Sequence, residues 1–177
     1  MIDAVSYGSA MFRVAAERGN EEQVRQELEL IRRALRENPS YVTLLDTPAL
    51  TVEEKTALLR ESFGDCDPML LNFLCILCEK HSIFRLDACA EAYGNAFDEA
   101  HGILRAYALT AVPMSSEQQQ ALIGKLRKLT GKRVELTCSV DPALIGGITL
   151  RYGGVQLDDS IRGRLDSLRR SLRDTIV

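Results

Sequence analysis

The spacing of apolar residues is helical over the first hundred residues and mixed from about residue 103 onward, and that change limits what the chain can fold into. Before it, Val24, Leu28, Ile31 and Leu35 recur at intervals of four, three and four, the stripe of a helix lying on a core. Ile83, Leu86, Ala90, Tyr93, Phe97, Ala100 and Leu104 sustain the same alternation. After it, Val134, Leu136, Cys138 and Val140 alternate with Arg133, Glu135, Thr137 and Ser139, the period of a half-buried strand. The expected fold class is therefore mostly α: a helical domain over residues 1–104, then a small α+β domain over 105–177.

Punctuation residues refine the division. Asn20 followed by Gln23 predicts a capping box ahead of the first stripe, and Asn38-Pro39 closes it. Short helices are expected over 39–46 and 51–62, another from Pro68 to Lys80, and a long one from Ile83 through Leu104. Residues 103–112 read as a strand. Ser115 or Ser116 then caps a helix with Ala121, Leu122, Leu126 and Leu129 inward, and Gly131 stops it. Ile148, Leu150 and Tyr152 form a strand, and Gly153-Gly154 turns it into a hairpin with Val155–Leu157. Asp158 or Asp159 caps a last helix carrying Ile161, Leu165, Leu168 and Leu172.

Two of the helices are more apolar than one core contact requires. Over residues 3–18, Tyr7, Met11, Val14 and their neighbours fill an arc of roughly 200° on a wheel of 3.6 residues per turn, where a stripe somewhat over 100° suffices. Over 68–80, only Asn72, Glu79 and Lys80 interrupt the apolar surface. Either both helices lie deep in the bundle, or they share a groove that receives a partner's amphipathic helix.

The chemistry-bearing residues point away from catalysis. Cys75 and Cys78 form a CxxC inside an apolar helix with no second pair to complete a zinc site, so they read as core cysteines. His81 and His101 have no recognisable nucleophile partner, and the paired glycines match no phosphate-binding pattern. Lys125, Arg127, Lys128, Lys132 and Arg133 form one basic cluster, and Arg162, Arg164, Arg169, Arg170 and Arg173 another. The net charge of −3 and 6% aromatic content nevertheless oppose nucleic-acid binding. The longest apolar run, Met69–Cys78, is about half of the roughly 20 residues a membrane span needs, and no secretory signal is visible at the N-terminus. No metal or cofactor is expected, and a soluble, intracellular binding or structural protein is. The competing classes are a helical nucleic-acid-binding adapter module and an enzyme built on the cysteines.

The stretch from Val134 to Gly153, VELTCSVDPALIGGITLRYG, resembles the C-terminal signature of the F-type ATP synthase delta subunit family, whose mitochondrial equivalent is OSCP. The matching positions are Val140-Asp141, Leu144, Gly146-Gly147, Ile148, Leu150, Arg151 and Gly153. DSIRGRLDSL is similar to the family's closing helix. Tyr7 to Phe12, YGSAMF, is similar to its opening helix, with Gly8 where Ala is commoner. The resemblance implies an N-terminal six-helix bundle that grips alpha subunits of the catalytic head in a groove between the first and fifth helices. Tyr7, Met11 and Val14 would line one wall, and Leu70, Phe73, Ile76 and Leu77 the other. The C-terminal domain would bind the b-subunit stalk, with Arg162, Arg164, Leu168, Arg169 and Leu172 as candidate contacts. It further implies a non-catalytic stator subunit, peripheral on the cytoplasmic face of a bacterial membrane, without insertion into it and without a nucleic-acid partner.

Overall fold

The computed structural model describes residues 3–144 and 146–158. The chain forms two compact units, one up to Phe97 and one from Asp98 onward. The first contains α1 (Ala4–Arg18), α2 (Glu21–Glu37), α3 (Pro39–Asp46), α4 (Val52–Phe63), α5 (Pro68–Glu79), a single 3-10 turn over Ile83–Arg85, and most of α6 (Leu86–Ala100). The second contains β1 (Ile103–Thr110), α7 (Ser116–Thr130), β2 (Arg133–Val140), β3 (Ile148–Tyr152) and β4 (Val155–Asp158). The mostly α architecture, six helices followed by a small α+β unit, is the one the apolar periods predict.

In the helical unit the predicted stripe of α2 is the buried one: Val24, Leu28, Ile31 and Leu35 all point inward. The expected capping box at Asn20 does not form. Its side chain makes no cap hydrogen bond but donates at 2.8 Å to the carboxylate of Asp67, the residue that caps α5. A tertiary hydrogen bond has displaced a local one. The true capping boxes are Thr51 with Glu54 on α4 and Ser115 with Gln118 on α7. The long helix expected through Leu104 stops at Ala100, because Gly102 turns the backbone to φ 60°. Leu104 continues the helical spacing only by coincidence and lies on β1.

Across α2 and α6, Arg36 holds Asp87 at 3.1 Å and Arg32 donates to the same carboxylate. Burial pushes against ionisation there, but the two guanidiniums outweigh it and hold the Asp87 carboxyl below its ordinary range.

The sheet order is β2-β1-β3-β4. β1 and β2 are parallel with α7 as their crossover, and the remaining pairs are antiparallel. On one face Leu104, Ala106, Ala108 and Leu150 pack with Leu126 of α7, flanked by Leu122, Val134, Leu136 and Tyr152. Of the α7 residues expected inward, Ala121 and Leu129 are instead exposed. Leu129 is 76% exposed, although it lies only about 20° from Leu122 on the helical wheel. Gly153 and Gly154, at φ 52° and 78°, make the predicted hairpin turn. The last helix, with Ile161 through Leu172, lies outside the described residues.

Candidate partner-binding surface

α1 begins at Asp3, whose side chain caps Val5 N–H at 3.3 Å and also accepts from the Ser6 hydroxyl, which draws the Asp3 carboxyl below its usual range. It ends at Gly19, in the left-handed region at φ 70°. Its inner face is Ala4, Gly8, Met11, Phe12 and Ala15. At Gly8 the backbone of α1 comes close to α6. A Cβ there would stand 2.4 Å from the Cys89 carbonyl oxygen and 2.7 Å from Ala92 Cβ, a separation only hydrogen can occupy. Phe12 sits edge-on to Tyr93 and Phe97 at 5.7 and 6.2 Å.

α5 starts at Asp67, whose carboxylate accepts from Met69 N–H at 2.8 Å and from Asn20, while its own N–H donates to Glu27 at 2.7 Å. Arg18, at the end of α1, lies 4.0 Å from the same carboxylate. Further along, the Tyr7 and Phe73 rings are 6.4 Å apart. The end of α1 thus meets the start of α5, and the two helices run antiparallel with a seam between them.

Burial sorts the wall residues expected from sequence. Leu70 and Leu77 have 0% exposure, and Met11 and Phe73 are also buried. Leu70 and Leu77 are therefore corrected to the core: on the wheel they sit about 60 and 40° inward of Phe73, behind the seam. Tyr7 and Ile76 are half-buried, and Val14 is 38% exposed. Ala10 and Met69, which the sequence reading did not single out, are half-buried on the same flanks. The seam is thus a half-open apolar strip of Tyr7, Ala10 and Val14 against Met69 and Ile76, floored by Phe73 and Met11. Arg13 and Glu17 on α1, Asn72 and Glu79 on α5, and Lys80 just after it are exposed beyond it. Neighbour identity could have singled out Met69, since it lies one turn from Phe73 and beside Ile76 on the wheel.

No reactive group faces this strip. Burial raises the Cys78 and Cys89 thiols to about 11, which keeps them protonated and poor nucleophiles. Cys78 and Cys89 are buried, whereas Cys66, Cys75 and Cys138 are half-buried, and all five are free thiols. Among the described residues no group of three His, Cys, Asp or Glu side chains is placed to hold a metal ion. What the surface can do is bind another apolar face.

The signature residues Val140 to Gly153 build the turn and strand of the sheet unit. Asp141 N–H donates to Thr110 at 2.9 Å, and its carboxylate accepts from Ala143 N–H at 2.9 Å, folding the chain back after β2. Leu144 donates to the Asp141 carbonyl at 3.1 Å. Gly147 has φ 89°, Gly146 precedes it, and Ile148 and Leu150 point into the sheet core while Arg151 is exposed. These positions specify a fold, not a reactive site. Arg162, Arg164, Leu168, Arg169 and Leu172 lie outside the described residues.

Known proteins resemble the chain over nearly its whole length. The family profile described as ATP synthase delta (OSCP) subunit matches residues 4–172. The chain is 35% identical to the ATP synthase subunit delta of Geobacillus sp. strain WCH70, over 97% of each chain. It is 33% identical to that of Alkaliphilus oremlandii, over 97% of this chain and 96% of the relative. A chain in the cryo-EM structure of the Toxoplasma gondii mitochondrial ATP synthase hexamer superposes with a TM-score of 0.73 at 28% identity, covering 97% of this chain and 98% of that one.

Proposed function

Because the chain belongs to the ATP synthase delta (OSCP) subunit family, we propose that it is a peripheral-stalk subunit that holds the catalytic head of an F-type ATP synthase against rotation. In this reading the helical domain, residues 1–104, binds N-terminal helices of alpha subunits, and residues 105–177 bind the b-subunit stalk. The chain contributes no catalytic step. It transmits torque through two adhesive faces, and coupling of proton flow to ATP synthesis depends on both. It works at the cytoplasmic face of a bacterial membrane, attached through the complex. In keeping with this, no helix among the described residues is long and apolar enough to cross a bilayer.

The half-open strip between α1 and α5 is the observation that carries the reading. Its side chains are already partly covered, so completing their burial contributes only about 1 kcal/mol each. A docking helix also buries its own anchors, at about 1.5–3 kcal/mol per large side chain. Most of the gross stabilisation therefore comes from the partner's apolar face, with ordering costs set against it.

The test is calorimetric titration of the full chain with a peptide of the alpha-subunit N-terminus. Val14→Asp and Ile76→Asp are expected to weaken binding at least tenfold while the thermal unfolding midpoint moves by only a few degrees. Unchanged affinity in both variants would remove the strip from the interface.

A further inference from the structure

Asp46 breaks a local rule. It is the last residue of α3, where a carboxylate meets the negative end of the helix dipole, and the last turn carries no basic residue to offset it. The residue is exposed, and among the described residues its carboxylate has neither an ion pair nor a hydrogen bond. His81, held in the left-handed region at φ 47°, places Nδ1 3.4 Å from the Asp46 backbone carbonyl and leaves the carboxylate open. Beside this charge lies a cleft of about 340 Å³ between α3 and the 3-10 turn. Ile83, 1% exposed, and half-buried Val42 form its apolar floor. Phe84 lines it as well, with 63% of its surface open. The Arg85 guanidinium lies 5.8 Å from the Phe84 ring but does not line the cleft. A carboxylate, an aromatic ring and aliphatic carbon thus border one space with no cation on its walls.

We infer that this cleft receives one arginine side chain of a partner polypeptide, its guanidinium paired with Asp46 and its aliphatic stem laid against Phe84, Val42 and Ile83. A cation there answers the unmatched carboxylate and the negative helix end together. The aromatic wall adds its own attraction for that cation. Arginine suits this set better than lysine, because its planar guanidinium meets a carboxylate through two parallel hydrogen bonds and stacks on a ring. The volume lies near the lower limit of small-ligand clefts, roughly 300–1,000 Å³, which fits one long side chain and not a docked helix. The cleft shares no residue with the strip between α1 and α5. The inference goes beyond the stator reading and does not depend on it.

NMR titration of the full chain tests it with three probes, the N-acetyl methylamides of arginine, of lysine and of citrulline, the neutral isostere of arginine. A lone side chain lacks its partner's other contacts, so saturation is expected in the millimolar range. The arginine probe should shift the Phe84 ring and the Val42 and Thr47 methyls, and bind at least fivefold more tightly than the citrulline probe. Asp46→Asn is expected to remove that preference, and Phe84→Ala to weaken the arginine probe at least threefold. Equal binding of arginine and citrulline overturns the inference, as does tighter binding of lysine or a response centred on other residues. The thermal midpoint supplies a second readout. Asp46→Asn takes a like-signed charge off a helix end and should raise the midpoint, by up to a few degrees. A lowered midpoint would show that the carboxylate already serves the fold, and overturns the inference too. Unchanged alpha-peptide affinity in Val14→Asp and Ile76→Asp, with the arginine response intact, would instead count against the stator reading alone.

Discussion

The helical unit and the sheet unit hide apolar surface by different geometries. In the helical unit each helix turns a stripe toward a common interior. Single apolar side chains such as Leu30 on α2 and Leu44 on α3 stand exposed, whereas the wide arcs of α1 and α5 leave several together. In the sheet unit the strands present two faces, and the single described helix covers three strands of one of them. Leu70 and Leu157 show the contrast. Both continue an apolar pattern, but Leu70 is sealed and Leu157 is half open. A surplus on a helix is a strip between neighbours, whereas a surplus on a sheet is an entire edge.

The largest expected effect tests the sealed side of this contrast. Leu70→Asp places a charge with no partner in the core and should destabilise the helical unit by at least about 3 kcal/mol. Denaturant unfolding read by helical circular dichroism measures it. A loss as small as that of Ile76→Asp would erase the distinction between core and strip.

Gly8→Ala comes next. Alanine is the better helix former by about 1 kcal/mol, but its methyl group meets the backbone of α6. A net loss of about 1–3 kcal/mol is expected, read as a lowered urea midpoint. A gain in stability would show that α1 can move off α6 freely.

The smallest effect concerns Asp87, on the rim of the helical unit. Its folded pKa is lowered, so its contribution is present above the ordinary carboxylate value of about 4 and is lost as pH falls through the folded value. With half of the side chain exposed, Asp87→Asn should cost less than about 1 kcal/mol at pH 7. That difference should shrink toward zero in unfolding curves taken below about pH 4. A difference that persists in strong acid would mean the residue acts through packing and not through charge.

Much of this was legible beforehand. The α2 stripe, the Ser115 cap, the Gly131 stop and the double-glycine hairpin depend on residues within a turn or two of one another. What was missed depended on distant ones. Asn20 gave up its local cap to Asp67, forty-seven positions away. The helical spacing carried on to Leu104 although Gly102 had already turned the chain. Leu129 fitted the α7 pattern but stays outside the packed cluster around Leu126. At the candidate surface the sequence located the two helices, while Leu70 and Leu77 passed to the core and Met69 and Ala10 joined the strip.

By itself, then, the sequence determined the period of each segment, where most segments start and stop, and, through the Val140–Gly153 signature and the opening helix, the family. Those properties reside in local backbone preferences and in residue identity. Only the tertiary structure decided which side of a wide apolar arc is closed, why residue 8 has no side chain, and which strand is left uncovered. Burial is set by the distance to a neighbouring element, and that distance depends on the packing of segments far apart in the chain.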